Sequence, residues 1–219
     1  GSDGEQPLQI VATSSNTSLL ADPTVVYTSD NTTGTLSFTP IADQFGVSTI
    51  TVTVTDGGGD KDLATNGDND SFARTFDVTV NPVNDVPTLG TLSDVTIDED
   101  ASEQTVNLSG ITAGAGEIQN LAVTAVSSNA SLIANPTVVY NSAAATGSLN
   151  FTPLADQSGS AVITVTVEDG GLDNDLSTTG DNLTTTQTFD VTVNPVNDVP
   201  TLDQPDVLFI DEDAPEQTV

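Results

Sequence analysis

The chain of 219 residues sets 32 aspartates and glutamates against two basic side chains, Lys61 and Arg74, for a formal net charge of −30. Such a chain repels phosphate, which excludes nucleic acid as an electrostatic partner. Cysteine and histidine are both absent, which removes disulfides, thiolate metal sites and the usual general base. Apolar residues still make up 36% of the chain, and many are Val and Ile that suit a β core. No apolar run approaches the roughly 20 residues that a membrane crossing needs, so no membrane insertion is expected.

The first clear element is Thr24-Val-Val-Tyr27, followed by Thr35-Leu-Ser-Phe-Thr39. Next comes Ser48 to Thr55, where alternation sets Ile50, Val52 and Val54 on one face and threonine on the other. That pattern marks a half-buried antiparallel strand, and Phe76-Asp-Val-Thr-Val80 repeats it. Pro23, Gly34, Pro40, Gly46 and Gly57 to Gly59 punctuate these runs, and no stretch has helical periodicity. Short strands with turn signals about every ten residues predict an all-β fold, an antiparallel sandwich of about seven strands.

The pattern then starts again. Residues 5–106 and 118–219 match at an offset of 113 with no insertion or deletion, and about 64 of the 102 aligned positions are identical. A period this long is a whole domain. The seam, Asn81-Pro-Val-Asn-Asp-Val-Pro87, carries two prolines between strands, so the junction is expected to be short and semi-rigid, the repeats lying end to end in a rod.

The repeat register gives residues 1–85 as a repeat lacking its first strand, 86–198 as a complete repeat, and 199–219 as the first strand of a following one. Gly1 falls opposite Gly114, and the end at Val219 falls opposite Val106. Two chains could therefore complete each other head to tail by strand donation, bringing Glu212 to the first repeat. The plainer reading is a window on a longer repeat polypeptide.

Of the acids, 25 are Asp and seven are Glu. Aspartate is short enough to fold several oxygens around one hard cation from a tight loop, and calcium takes six to eight oxygen ligands. Four acidic clusters recur in each period: Asp43 after Ile41-Ala42, the loop Asp56 to Asp62, Asn84-Asp85, and Asp98-Glu-Asp100. The loops Asp56-x-x-x-Asp60-x-Asp62 and Asp169-x-x-x-Asp173-x-Asp175 share one spacing, and Asp68-Asn69 or Asp181-Asn182 could return to the same ion. Asp22, Asp30, Asp70 and Asp77 read as solvated surface.

In these clusters the chain resembles cadherin-like repeats, particularly the long tandem kind of bacterial surface proteins. The resemblance runs from Thr146-Gly-Ser-Leu-Asn-Phe-Thr-Pro-Leu-Ala-Asp-Gln157 through Thr-Val-Glu-Asp-Gly-Gly to Asn194-Pro-Val-Asn-Asp-Val-Pro200. Asn194 to Pro200 is similar to the family's linker motif, with Asn194 in place of its first Asp. Asp156 falls on the Asp of the Leu-Asp-Arg-Glu motif, and Glu99 on the glutamate near the first strand. The family implies a cadherin-like or immunoglobulin-like sandwich that binds Ca2+ between domains. Carried over, Asp43, Asn84 and Asp85 would bind from below and Asp169, with Asp173 or Asp175, from above. Glu99, Asp156, Asn197 and Asp198 would serve the next junction, and Glu212 the first repeat's own. Gln44 and Gln157 depart from Arg-Glu, and Gly114-Ala-Gly-Glu117 from the usual Asp-x-Asp. Fewer carboxylates imply fewer or weaker ions.

The expected function is structural: a calcium-stiffened segment of an extracellular adhesin, filament or surface layer whose partners are neighbouring copies. Exposed threonine rows leave a carbohydrate or surface ligand as the alternative. No enzyme is expected, because paired acids in an aromatic-lined cleft are not evident.

Overall fold

The computed structural model describes residues 6–29, 31–65, 67–204 and 207–218, so Gly1, Asp30 and Val219 lie outside the described residues. Among the described residues there are twelve strands and no helix. The first repeat forms β1 (Leu8–Ser14), β2 (Thr24–Val26), β3 (Thr35–Ser37), β4 (Gly46–Asp56) and β5 (Ser71–Val80). The second forms β6 (Val95–Asp98), β7 (Gln104–Ser109), β8 (Leu121–Ser127), β9 (Thr137–Val139), β10 (Thr146–Phe151), β11 (Gly159–Asp169) and β12 (Thr184–Asn194). β1 and β8 had not stood out in the sequence, because Leu8-Gln-Ile-Val-Ala-Thr-Ser14 alternates only weakly.

The second repeat is a two-layer sandwich. One sheet has the order β6-β12-β11-β8 and the other β7-β10-β9. Neighbouring strands are antiparallel except β6, which runs parallel to β12 with Val95 opposite Val191 and Ile97 opposite Val193. Inward positions of β11 follow the strand period of two: Ala161, Ile163, Val165 and Val167 are all buried. Phe189, Val191 and Val193 extend this row on the neighbouring β12, Leu149 and Phe151 meet it from β10 of the facing sheet, and Leu108 and Ile111 close the core.

The first repeat has the sheet β1-β4-β5 and the pair β2-β3, with no described strand equivalent to β6 or β7. Its core is correspondingly thin: Ala12, Leu19, Leu20 and Ile50. Phe76 and Phe38 are 42% and 40% exposed, whereas their repeat partners Phe189 and Phe151 are 2% and 4% exposed. Identical side chains at identical positions thus differ in burial because two strands cover one copy and not the other.

That contrast yields a stability prediction. Leu149 is fully buried and its partner Leu36 only half-buried. Leu149→Ala should therefore cost about 2–5 kcal/mol, and Leu36→Ala markedly less. Urea unfolding followed through Tyr140, with Tyr27 replaced by Phe, measures the first, and the converse tyrosine replacement measures the second.

Candidate metal centre between the repeats

The inward row of β11 does not stop at Val167. One step of two further along comes Asp169, so the alternation that builds the core also carries a carboxylate into the end of the sandwich, with no measurable exposure. Oδ1 of Asp169 accepts hydrogen bonds from Gly171 N at 3.0 Å, Leu183 N at 2.9 Å and Asn84 Nδ2 at 3.1 Å. Oδ2 is buried and has no hydrogen-bond partner. A buried, half-satisfied carboxylate is costly unless a cation or proton reaches it.

Asn84 comes from the seam between the repeats, and its amide is plugged into the top of the second repeat. Nδ2 also donates to Asp181 O at 2.8 Å, while Oδ1 accepts from Gln119 Nε2 at 2.7 Å. Oε1 of Gln119 is a second buried oxygen without a partner. Beside them Asp85 N donates to Glu117 Oε2 at 3.1 Å.

Two glycines allow the repeats to approach this closely. Gly116 has φ +73°, and a Cβ there would stand 2.7 Å from Asp43 O; a Cβ at Gly114, φ +132°, would stand 2.6 Å from Asp85 Cβ. Loop 114–117 of the second repeat therefore lies against the base of the first, next to Asp43 and Asp85, two of the three predicted lower ligands. Glu117 feels this crowding. Desolvation by burial raises its carboxyl above the ordinary value, Asp85 and Asp169 add like-charge repulsion, and the Asp85 amide opposes the rise.

The donor set carries the oxygens a hard cation takes, the carboxylates of Asp43, Asp85, Glu117 and Asp169 and the amide oxygens of Asn84 and Gln119; Asn84 turns its Nδ2 to Asp169 and its Oδ1 to Gln119 Nε2. Among the described residues no three acidic side chains are gathered tightly enough to enclose a metal ion as they stand. Among the described residues four buried side-chain oxygens lack a hydrogen-bond partner, Asn69 Oδ1 and Asn182 Oδ1 in the acidic loops and Gln119 Oε1 and Asp169 Oδ2 at the seam, and the last two favour an ion there.

The structure distributes the other predicted residues over three places. Glu99 is buried at the base of the second repeat, where its Oε1 accepts from Val196 N at 2.7 Å. Asp198 lies in the same neighbourhood: burial raises its carboxyl above the ordinary value, with further repulsion from Asp156, Asp100 and Glu99. Asn197 is exposed there and donates to Asp198 O. The loop residues face their own turns instead. Asp56 accepts from Gly58 N and Asp70 N, Asp60 from Asp62 N and Thr65 Oγ1, and Asp62 from Ala64 N. Asp173 accepts from Asp175 N and Thr178 Oγ1, and Asp175 from Ser177. Glu212 lies in the exposed segment 207–218, which forms no strand.

Glu117 and Gln119 had not been singled out. Glu117 escaped because Gly4 stands at its repeat position, and a search guided by repetition passes over a residue found in one copy. The departure itself was the usable signal: a single carboxylate in the glycine-rich loop Gly114-Ala-Gly-Glu117.

Fold and junction together define a tandem pair of β-sandwich repeats joined at an acidic, oxygen-rich seam. No protein-family model and no curated protein matches the chain. Solved structures similar to it include mouse cadherin-23 EC22-24, at 12% identity over 86% of this chain and 55% of that one, with a TM-score of 0.48. Human mucin-like protocadherin EC1-2 shows 16% identity over 87% and 85%, TM-score 0.45. The surface layer protein SbsC, domains 1-6, shows 18% identity over 87% of this chain, TM-score 0.33, and the chain spans 20% of that structure's length. Among the described residues no helix is long and apolar enough to cross a membrane.

The titration shifts give a second prediction. Glu117 and Asp198 have raised carboxyls, so their protonated forms favour folding, and that stability is lost as pH rises through their folded values. Hydrogen bonds lower Asp60, chiefly from Thr65, and Asp175, chiefly from Ser177 N–H; their contribution is present above about pH 3.9, the ordinary aspartate value, and is lost on further acidification. Between about pH 4.5 and 7 the raised pair loses this contribution. In chelator, the melting temperature should therefore fall from pH 4.5 to pH 7 when followed by circular dichroism at constant ionic strength.

Proposed function

We propose that the chain is a structural, non-enzymatic segment of an extracellular filament, adhesin or surface layer, whose repeats are stiffened by Ca2+ at their junctions and which associates with further copies head to tail. The observation that carries this reading is the fully buried Asp169 carboxylate with one unpartnered oxygen, set at the seam between two repeats. Asp43, Asn84 and Asp85 of the lower repeat and Glu117, Gln119 and Asp169 of the upper one would hold the ion. Bound there, calcium supplies positive charge to a like-charged seam and ties the two repeats into one unit.

Glu99, Asp156, Asn197 and Asp198 form the corresponding lower half at the base of the second repeat, open to a following repeat. Asp56 makes the same two turn hydrogen bonds as Asp169 but is only half-buried, and Asp60, Asp62, Asp173 and Asp175 are exposed, so burying a charge motivates an ion at Asp169 more than at these loop acids. A seam with few carboxylates suits the weak affinities of extracellular calcium modules, about 10⁻⁴–10⁻³ M. Such affinities require a calcium-rich medium, in keeping with a location outside the cell.

An ion bound only by the folded form stabilises it by about 2.7 kcal/mol at a hundredfold excess over its dissociation constant. Calcium added to chelated protein at pH 7 should raise the melting temperature and narrow the range of interrepeat angles seen by small-angle scattering. Asp169→Asn keeps the shape but removes the charge. It should melt no lower than the parent in chelator and should lose most of the calcium response. A parent protein that melts and scatters identically with and without calcium contradicts the reading.

A further inference from the structure

Beside the acidic seam lies a second cleft, of about 400 Å³, to which the lower repeat contributes Phe45 and Pro82 and the upper repeat Ile118 and Leu172. Phe45, Ile118 and Leu172 are 60%, 92% and 50% exposed. Scattered singly, such residues need no explanation; gathered from two repeats around one opening, they mark a contact.

The repeat supplies its own control. In its register Phe45 stands opposite Ser158, Ile118 opposite Glu5 and Leu172 opposite Gly59. Each of the three is a departure from the repeated text, and all three departures fall on this cleft, one from below and two from above. Where the repeat carries Ser, Glu and Gly at the same places, the fold has no use for apolar residues there. What the three have in common is the junction.

The upper wall is held in shape by a clasp. Asn174, at φ +58°, accepts the backbone amide of Asn120 on Oδ1 and the Asn120 side-chain Nδ2 on its carbonyl oxygen. Asparagine tolerates this left-handed backbone. The pair ties the loop that carries Leu172 to the segment that carries Ile118, and Leu172 N is itself fixed on Asp181 Oδ2 at 2.8 Å. Pro7 and Lys61 hold the two clasp positions in the first repeat, and proline has no N–H to donate. Ile118 and Leu172 thus stand on a preformed platform, which lowers the ordering cost of any contact made on it. Asn84 is already anchored to the upper repeat, so rotation between the repeats falls to the exposed residues 81–83, of which Pro82 lines the cleft.

We propose that this cleft is an apolar latch: a small rotation about residues 81–83 brings Phe45 onto Ile118 and Leu172 and fixes the angle between these two repeats. Closure takes three large apolar side chains out of water together, which is its driving force. The latch makes the two repeats a matched pair, because a base with Ser158 or a top with Glu5 and Gly59 offers no such contact. It is separable from the calcium stiffening proposed above. The ion would draw on Asp43, Asn84, Asp85 and Asp169, whose residue types recur in both copies, whereas the latch needs no ion and uses residues found in one copy.

Measurements in chelator test it, so that a lost calcium response and a lost latch are told apart. The chain contains no tryptophan and no cysteine. Phe45→Trp is therefore a lone fluorescent reporter, and spin labels can be set at Thr75→Cys and Thr188→Cys, exposed repeat partners on β5 and β12. The tryptophan emission should be blue-shifted and shielded from acrylamide, and the label distances read by double electron–electron resonance should be narrowly distributed. Leu172→Gly with Ile118→Ser, both neutral changes, should shift the emission to the red, restore quenching and broaden the distances. Phe45→Ser should broaden them alike, and Phe45→Leu should keep them narrow. Ser158 and Gly59 already occupy two of these positions in the other copy, so circular dichroism should show both repeats still folded. A tryptophan quenched equally with and without Leu172 and Ile118, or label distances unmoved by Phe45→Ser, would overturn the latch.

Discussion

The junction between the repeats depends on where a strand's alternation ends. β11 places a residue inward at every second position, and after Val167 the next inward residue is Asp169. Burying that carboxylate carries a desolvation penalty of several kcal/mol. Three N–H donors on Oδ1 offset part of it, one of them the amide of Asn84 from the neighbouring repeat. The seam is thus held by a hydrogen bond that exists only because a charge was taken out of water, and the second oxygen is left for something else. Glu117 is near enough to feel the charge of Asp169 and of Asp85, and Asp43 lies against the same glycine-rich loop, so the junction gathers charge of one sign.

Internal repetition provides a comparison between near-identical sequences in different surroundings. β4 and β11 share the row Ile-Thr-Val-Thr-Val, yet Val165 and Val167 are fully buried while Val52 and Val54 are half-buried. The side chains are the same; the covering strands differ. Burial in this fold is therefore a property of the completed sandwich, and a single repeat's text does not specify it. Asp56 behaves in parallel: it is the repeat partner of Asp169 but only half-buried, and its Oδ1 serves Gly58 and Asp70 of its own loop.

Much of the fold was legible in the sequence because strands announce themselves by period-two alternation and proline or glycine punctuation. β2 to β5 and their copies fall within a few residues of the expected runs. β1 and β8 were harder: Val11 and Val126 lie on the exposed face, so apolar residues on both faces blur the alternation. The junction was legible only in outline. Asn84 bonds Asp169, Asp85 bonds Glu117, and Asp43 lies against the same loop as Glu117. The loop aspartates looked equally like ligands, because an Asx turn and a calcium loop use the same short side chain beside the same glycine. Only the direction of each oxygen separates the two, and spacing does not encode direction. Glu117 was marked only by its departure from the repeat, because its role comes from the approach of a different repeat.

The central claim is that the free oxygen of Asp169 is reserved for a cation. The most direct measurement is a crystal structure of the protein grown in calcium, with the ion located by its anomalous signal. The account predicts a peak about 2.3–2.6 Å from Asp169 Oδ2, shared with oxygens of Asn84 or Asp85 from the lower repeat. A well-ordered junction in millimolar calcium with no ion at Asp169 would contradict it.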